Sequence, residues 1–314
     1  MAITYDRNTQ IEQQSLLDNE RVLGSVMLLP AIVYIVALVG LPFFLAIGYS
    51  LSDITVGDPS LDFVGFSTFR AVINDGTFQR SLLNTFVFTV VSQLIVIIAA
   101  NMLALALNKN FRGKWLIRFL LLLPWATPIA LGTIGWLWVL DSVFSPIDWL
   151  LTQANILGPG GAFGPSAHAY WLGKPTLAMI SVITVHVWRL IPLATVILMA
   201  GLTAIPQDIR DAVAVDGVGF WREFFEVTLP LLTPIMAVAT LFGVIFTFTD
   251  MAVVFVLTRG GPVSSTQVLS SWAYFKGIEG GNLAQGAAIA LFLLPVLVAV
   301  VIAMLRLARR SEVL

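Results

Sequence analysis

Residues 211–230, from Asp211 to Pro230, read DAVAVDGVGFWREFFEVTLP. Asp211, Asp216, Arg222, Glu223 and Glu226 lie within this stretch, and Arg210 stands directly before it. Long apolar runs flank it on both sides. A charged, helix-compatible segment between two such runs reads as a water-exposed connection between membrane spans. Pro206 is suited to start a helix, with Asp208 and Asp211 expected in its first turn, where the dipole favours acids. Gly217 follows RDAVAVD and is a natural left-handed stop. A second short helix, FWREFFEV, is expected to lead to Pro230, which opens the next span. Ala212, Val213 and Val215 supply apolar surface; Phe220, Phe224 and Phe225 supply large aromatic knobs. The segment could lie on the bilayer as an amphipathic loop or fill a protein groove as a bent plug. Its acidic balance suits an anionic leaflet poorly, and its glycine-centred bend favours the plug.

The remaining composition supports the membrane setting. Of 314 residues, 58% are hydrophobic and 11% charged, with a mean hydropathy of +0.91. A soluble domain carries about 25% charged residues, so most of this surface must face lipid. The net charge of −1 gives no field to attract nucleic acid. The chain has no cysteine, which excludes disulfides, thiolate metal sites and cysteine catalysis, and its two histidines leave little room for a metal centre. Residues 1–21 mix acids and bases, and the uncharged run after them exceeds a signal-peptide core of about 7–15 residues. It therefore reads as a span that stays in place.

A spanning helix needs about 20 apolar residues, and its backbone must satisfy itself. Six spans are expected, within 22–51, 81–107, 118–140, 176–203, 231–257 and 283–305. Prolines 30, 42, 124, 128, 192 and 295 fall inside them and read as bends. The expected organisation is a tail at 1–21, a membrane domain at 22–307 whose loop covers 204–230, and a tail at 308–314. Arginine and lysine set orientation. One set of connections holds Arg7, Arg21, Lys109, Arg112, Lys114, Arg118, Arg210, Arg222, Arg306, Arg309 and Arg310; the other holds Arg70, Arg80, Lys174, Arg259 and Lys276. The larger set marks the cytoplasmic side, so both termini and the 211–230 segment belong there. The outer connection at about 141–174, rich in glycine and proline, should be irregular, with Trp149, Tyr170 and Trp171 at the membrane interface.

Arg189 in the fourth span and Asp250 in the fifth are the conspicuous charges at membrane depth, where an ionisable group is costly and defaults to a functional role. They could pair with each other, pair with a partner chain, or contact a solute. Phe246 and Phe248 flank Asp250, and Thr247 and Thr249 offer hydroxyls. Asn84, Ser92, Gln93 and Asn101 in the second span could tie helices together. Trp136 and Trp138 read as packing, and His168 and His186 as satisfied or exposed side chains.

The charged segment also resembles the EAA signature of ABC importer permeases: E-A-A, three residues, G, nine residues, I-x-L-P. Here Asp211-Ala212-Val213, Gly217 and Val227-Thr228-Leu229-Pro230 keep that spacing, with Asp211, Val213 and Val227 departing in type. SLLNTFVFTV, LALALNKNFRGKWLIRFLLLLPW, AGLTAIPQDIRDA and FTFTDMAVVFVLTRGGP extend the likeness over nearly the whole chain. It is similar to the first permease subunit of carbohydrate importers of the maltose and glycerol-phosphate type.

The resemblance implies an all-α membrane protein with the type I importer permease fold and cytoplasmic coupling helices. It also implies a second permease subunit, two copies of a cytoplasmic ATPase, an extracytoplasmic solute-binding protein and a sugar-like cargo, in a bacterial or archaeal plasma membrane. Asp211, Ala212, Asp216, Gly217, Phe220, Leu229 and Pro230 become the ATPase-coupling residues. Asp250, Phe246, Phe248, Thr249 and Arg189 become candidates for the solute path. The chain lacks G-x-x-x-x-G-K-[ST], so ATP and Mg²⁺ are expected on the partner and no cofactor or metal on this chain. An ion-coupled transporter or channel is the competing reading; one Asp and one Arg at membrane depth support it thinly.

Overall fold

The computed structural model describes residues 20–162 and 164–311. Of the expected tails, residues 1–19 and 312–314 lie outside the described residues; Glu20, Arg21 and 308–311 continue the adjoining helices. The described part is helical, with a single β-bridge between Ser52 and Phe63.

Two compact units divide after Gly48. In the first, α1 (Glu20–Ile35) passes through one wide turn at Val36–Gly40 into α2 (Leu41–Ser50), which runs two residues into the second unit. Apolar side chains surround this helix on all faces, as expected of a membrane span. The stretch Leu23–Ser50 is long enough to cross the bilayer.

The second unit opens with the short α3 (Ser67–Ile73) and is built around α4 (Gly76–Asn108) and α8 (Pro175–Ala204). Both helices carry a buried ridge with a spacing of four. On α4 it is Phe88, Ser92, Val96, Ala100 and Ala104; on α8 it is Ala178, Val182, His186, Leu190, Ala194, Leu198 and Leu202. Side chains four apart share a helix face, and such ridges interdigitate when two helices pack. Alanines along both ridges let the backbones approach, the usual device where lipid supplies no hydrophobic drive between helices. The core continues onto α11 (Leu229–Thr249) through Leu232 and Ala239, and onto α12 (Ala252–Leu257) through Val253, Val254 and Leu257.

Two expected spans are corrected. Residues 118–140 do not form one straight helix: α5 (Lys114–Ala126) and α6 (Ile129–Val139) meet at 99°. Pro124 lies in the last turn of α5 and Pro128 stands at the start of α6. Neither ring nitrogen donates a hydrogen bond, so the ladder is cut twice within one turn. The Thr127 amide and hydroxyl both close back on Leu123 O, at 3.0 and 2.7 Å. Neither half alone has the ~20 residues a crossing needs, so beside the five continuous spans a sixth crossing requires the two halves together.

The fifth span is displaced towards its N-terminal end. Phe220–Thr249 is one helical run of 30 residues, and it stops at Asp250 instead of reaching residue 257. The segment FWREFFEV is therefore the first part of this span, not a separate helix. The outer connection is less irregular than expected, since it contains α7 (Pro146–Gln153), whose Ser145 caps the Asp148 amide at 3.2 Å. Buried Asp148 fixes the connection by accepting the Trp171 indole N–H at 2.8 Å and the Ala169 amide at 3.1 Å.

Candidate functional site

The bent segment begins where α8 ends. Pro206 precedes α9 (Gln207–Val215). Asp208 occupies its first turn, whereas Asp211 sits a turn later and accepts from Gln207 Nε2 at 2.9 Å. Arg210 donates to the Leu202 carbonyl and so ties α9 back to the end of α8. The chain then reverses at Gly217, whose φ of +64° lies in the left-handed region. Glycine enters that region without the clash a Cβ would meet. The amides of Asp216 and Gly217 close on Ala212 O and Ala214 O, at 3.0 and 3.3 Å, which completes the helix stop.

Beyond the bend, α10 (Phe220–Glu223) enters a wide turn at Phe224–Thr228 and continues as α11. An Arg222–Glu226 ion pair of 2.9 Å lies on its exposed face. Exposed ion pairs contribute little to stability; this one keeps the segment soluble. Phe220 stacks on Phe224 and Trp221 on Phe225. A crevice of about 140 Å³ between α9 and α10 is lined by Ile209, Val213 and Val227 among others, so this face of the element packs inward. Asp211, Ala212, Asp216, Gly217, Phe220 and Pro230 are exposed, and Leu229 is half-buried.

A buried polar network stands at the other end of α11. Asp250 Oδ2 lies 2.8 Å from Arg189 Nη2 and 3.0 Å from His186 Nδ1. His186 and Arg189 are three apart on α8, so both reach the same carboxylate. Asp250 Oδ1 accepts the Val253 amide at 3.1 Å and secures the start of α12. Ser270 Oγ donates to Asp250 O at 2.7 Å. With a carboxylate against Nδ1, that nitrogen carries the proton in the neutral imidazole. Nε2 lies 2.8 Å from Thr247 Oγ1, whose single proton is then shared between this nitrogen and Gly243 O at 2.7 Å. Gln93 Nε2 donates to the same hydroxyl oxygen at 2.8 Å. Gln93 reaches it because residue 243 is glycine: a Cβ there would collide with the Gln93 amide.

The expected solute-path residues divide between two surroundings. Asp250 and Phe248 are buried, and Phe248 meets the Phe86 ring edge-on at 5.9 Å. Arg189 is largely enclosed in the ion pair. Phe246 and Thr249 are exposed; Phe246 contacts Trp125 at 5.5 Å and Phe242 at 6.5 Å. The Thr249 hydroxyl donates to Ile245 O at 2.8 Å. Sequence reading anticipated an Arg189–Asp250 pair as one alternative but did not connect His186, Thr247 and Gln93 to it. The i, i+3 placement of His186 and Arg189 was the available signal. The partners lie 61 to 64 residues away on another helix, which no local pattern encodes.

Several apolar spans, a bent polar element between two of them and a buried charge network are the features of a multi-pass membrane protein. The family described as the binding-protein-dependent transport system inner membrane component matches residues 94–313, and the chain belongs to it. It is a permease of the ABC importer class; the ion-coupled alternative finds no support.

The chain is 31% identical to the trehalose/maltose transport system permease protein of Thermococcus litoralis over 87% of this chain and 88% of that one. It is 28% identical to the diacetylchitobiose uptake system permease protein of Streptomyces coelicolor, over 91% and 87%. Its fold is similar to that of a chain in a bacterial alginate ABC transporter solved with an alginate pentasaccharide-bound periplasmic protein. The TM-score is 0.78 at 19% identity, with 95% of this chain and 98% of that one covered.

Proposed function

We propose that this permease moves a carbohydrate or related polyol into the cytoplasm by alternating access, beside a second permease and above two copies of an ATPase that binds ATP and Mg²⁺. An extracytoplasmic binding protein delivers the cargo. Both termini and the bend face the cytoplasm of a bacterial or archaeal cell, in line with the arginine and lysine bias. The cargo class is supported by relatives named for trehalose/maltose and diacetylchitobiose.

The observation that carries the coupling role is the exposed reversal at Gly217, held stiff by α9 on one side and by the long helix on the other. Asp211, Ala212, Asp216, Gly217 and Phe220 engage the ATPase, while Leu229 and Pro230 join the contact to the span. At the other end, Phe246 and Thr249 face the solute path, and Asp250, Arg189 and Phe248 hold its wall.

The test is uptake by the reconstituted transporter carrying Gly217→Val. A β-branched residue at positive φ is strongly disfavoured, whereas no atom lies within 4 Å of where the new Cβ would sit. Insertion should therefore be normal, with transport and cargo-stimulated ATP hydrolysis reduced at least tenfold. Asn, which tolerates this conformation, should keep most activity. Normal uptake by the valine variant would reject the coupling assignment.

A further inference from the structure

An apolar groove of about 500 Å³ opens beside the crevice, with Leu105 lining both. Ile98, Met102 and Ala106 of α4 form one wall, and Phe220, Trp221 and Phe225 form the other. Met102, Trp221 and Phe225 are 65, 68 and 57% exposed, so the groove is open at its side. Two polar side chains line it. Asn101 donates to its own helix at Ile97 O, 2.9 Å away. Lys109 stands at the end of α4 with its ammonium 5.9 Å above the Phe220 ring.

Two neighbouring cations have other tasks. Lys114 Nζ reaches Asn108 O at 3.5 Å and Arg118 Nη2 reaches Leu107 O at 3.2 Å, so they satisfy the terminal carbonyls of α4. Lys109 makes no such bond. Among the described residues, no carboxylate pairs with Lys109, Arg112, Lys114 or Arg118. Glu223 lines the crevice and not the groove.

We infer that this groove binds an anionic phospholipid, with one acyl chain between α4 and the aromatic wall and the phosphate headgroup on Lys109. The site joins an apolar slot to an unpaired cation at a membrane surface. An amphiphile with an anionic head satisfies both parts. A partner helix filling the slot with apolar side chains would desolvate the ammonium with no counter-charge, which is costly. Basic pockets between spans are recognised sites for acidic headgroups. The inference is independent of the cargo; it shares Phe220 and Leu229 with the proposed ATPase contact and rests on that contact leaving the side of the groove open.

The test uses the complete transporter in liposomes containing trace phosphatidylglycerol or phosphatidylcholine with a photoactivatable group on one acyl chain. The phosphatidylglycerol probe should label peptides covering 97–109 and 220–236 about fivefold more than the phosphatidylcholine probe, the factor set by ~1 kcal/mol per cation at an anionic surface. Lys109→Glu should bring the two probes to parity. Met102→Trp, which fills the slot, should remove labelling by both while the protein still inserts. Equal labelling by the two probes in the unaltered protein would overturn the headgroup assignment. Absence of groove labelling would overturn the site, and cross-links from a photoreactive residue at 102 to another subunit would identify a protein occupant instead.

Discussion

Asp250 receives an arginine, a histidine and a backbone amide at the point where α11 stops. Removing one partner of a buried pair leaves the other charged and unsatisfied, at a cost of about 3–5 kcal/mol. Asp250→Ala should therefore lower thermal stability in detergent severely. The double variant Arg189→Met with Asp250→Leu should recover much of the loss, because apolar replacement of both members removes the desolvation burden. If the double variant were no more stable than Asp250→Ala, the pair would not be the main contributor.

Gly243 and Gln93 make a second coupled site. Gly243→Ala forces the Gln93 amide off Thr247, an overpacking cost of about 1–3 kcal/mol. Gln93→Ala removes a hydrogen bond worth about 0.6 kcal/mol between membrane helices. The two together should cost about 1 kcal/mol less than their sum, read from the same unfolding curves. Additive losses would mean that the amide and residue 243 do not compete for space.

Among the elements, the segment after α12 is tied to α4 by two neighbouring side chains. Asn84 Nδ2 faces the carbonyls of Ser265 and Gln267 at 3.0 and 2.9 Å, with Ser264 at 3.4 Å. The Thr85 hydroxyl oxygen accepts the Leu269 amide at 2.9 Å. Asn84→Ala should cost about 1–3 kcal/mol through the orphaned carbonyls. Hydrogen exchange should quicken across 258–269 and change little in α8. Unchanged exchange there would mean that the tie is dispensable.

The element scale also marks what sequence could convey. Four spans were legible to within a few residues because length and hydropathy alone decide them, and the left-handed stop at Gly217 was legible because backbone sterics decide it. The 99° break was not: Pro124 and Pro128 announce a bend, but its size depends on how α6 packs against α12 and α5 against α8. The early end of the fifth span was hidden too, since Asp250 is followed by the apolar stretch of α12, which reads like more of the same helix. Within the site, the carboxylate and guanidinium stood out as charges at depth, whereas His186 and Gln93 gained meaning only from helices meeting in space.

For the whole molecule, the run Phe220–Thr249 links the bend to the charge network. At ~1.5 Å per residue its 30 residues extend ~45 Å, longer than the hydrocarbon core. Its wide turn lies at Phe224–Thr228, where the Leu229 amide bonds back five residues to Phe224 O, and Pro230 and Pro234 follow it in the ladder. Such a turn holds one residue more than an ordinary helix. Deleting exposed Glu226 should therefore restore an ordinary turn and leave the network, insertion and the direction of the Gly217 tip nearly unchanged, because the flanking helices keep their phase when the surplus residue goes. Uptake should be retained; its loss would show that the wide turn itself is needed for coupling. The single surplus residue thus acts as slack in the rod. It lets the chain carry one residue more without altering the direction in which a push at one end arrives at the other.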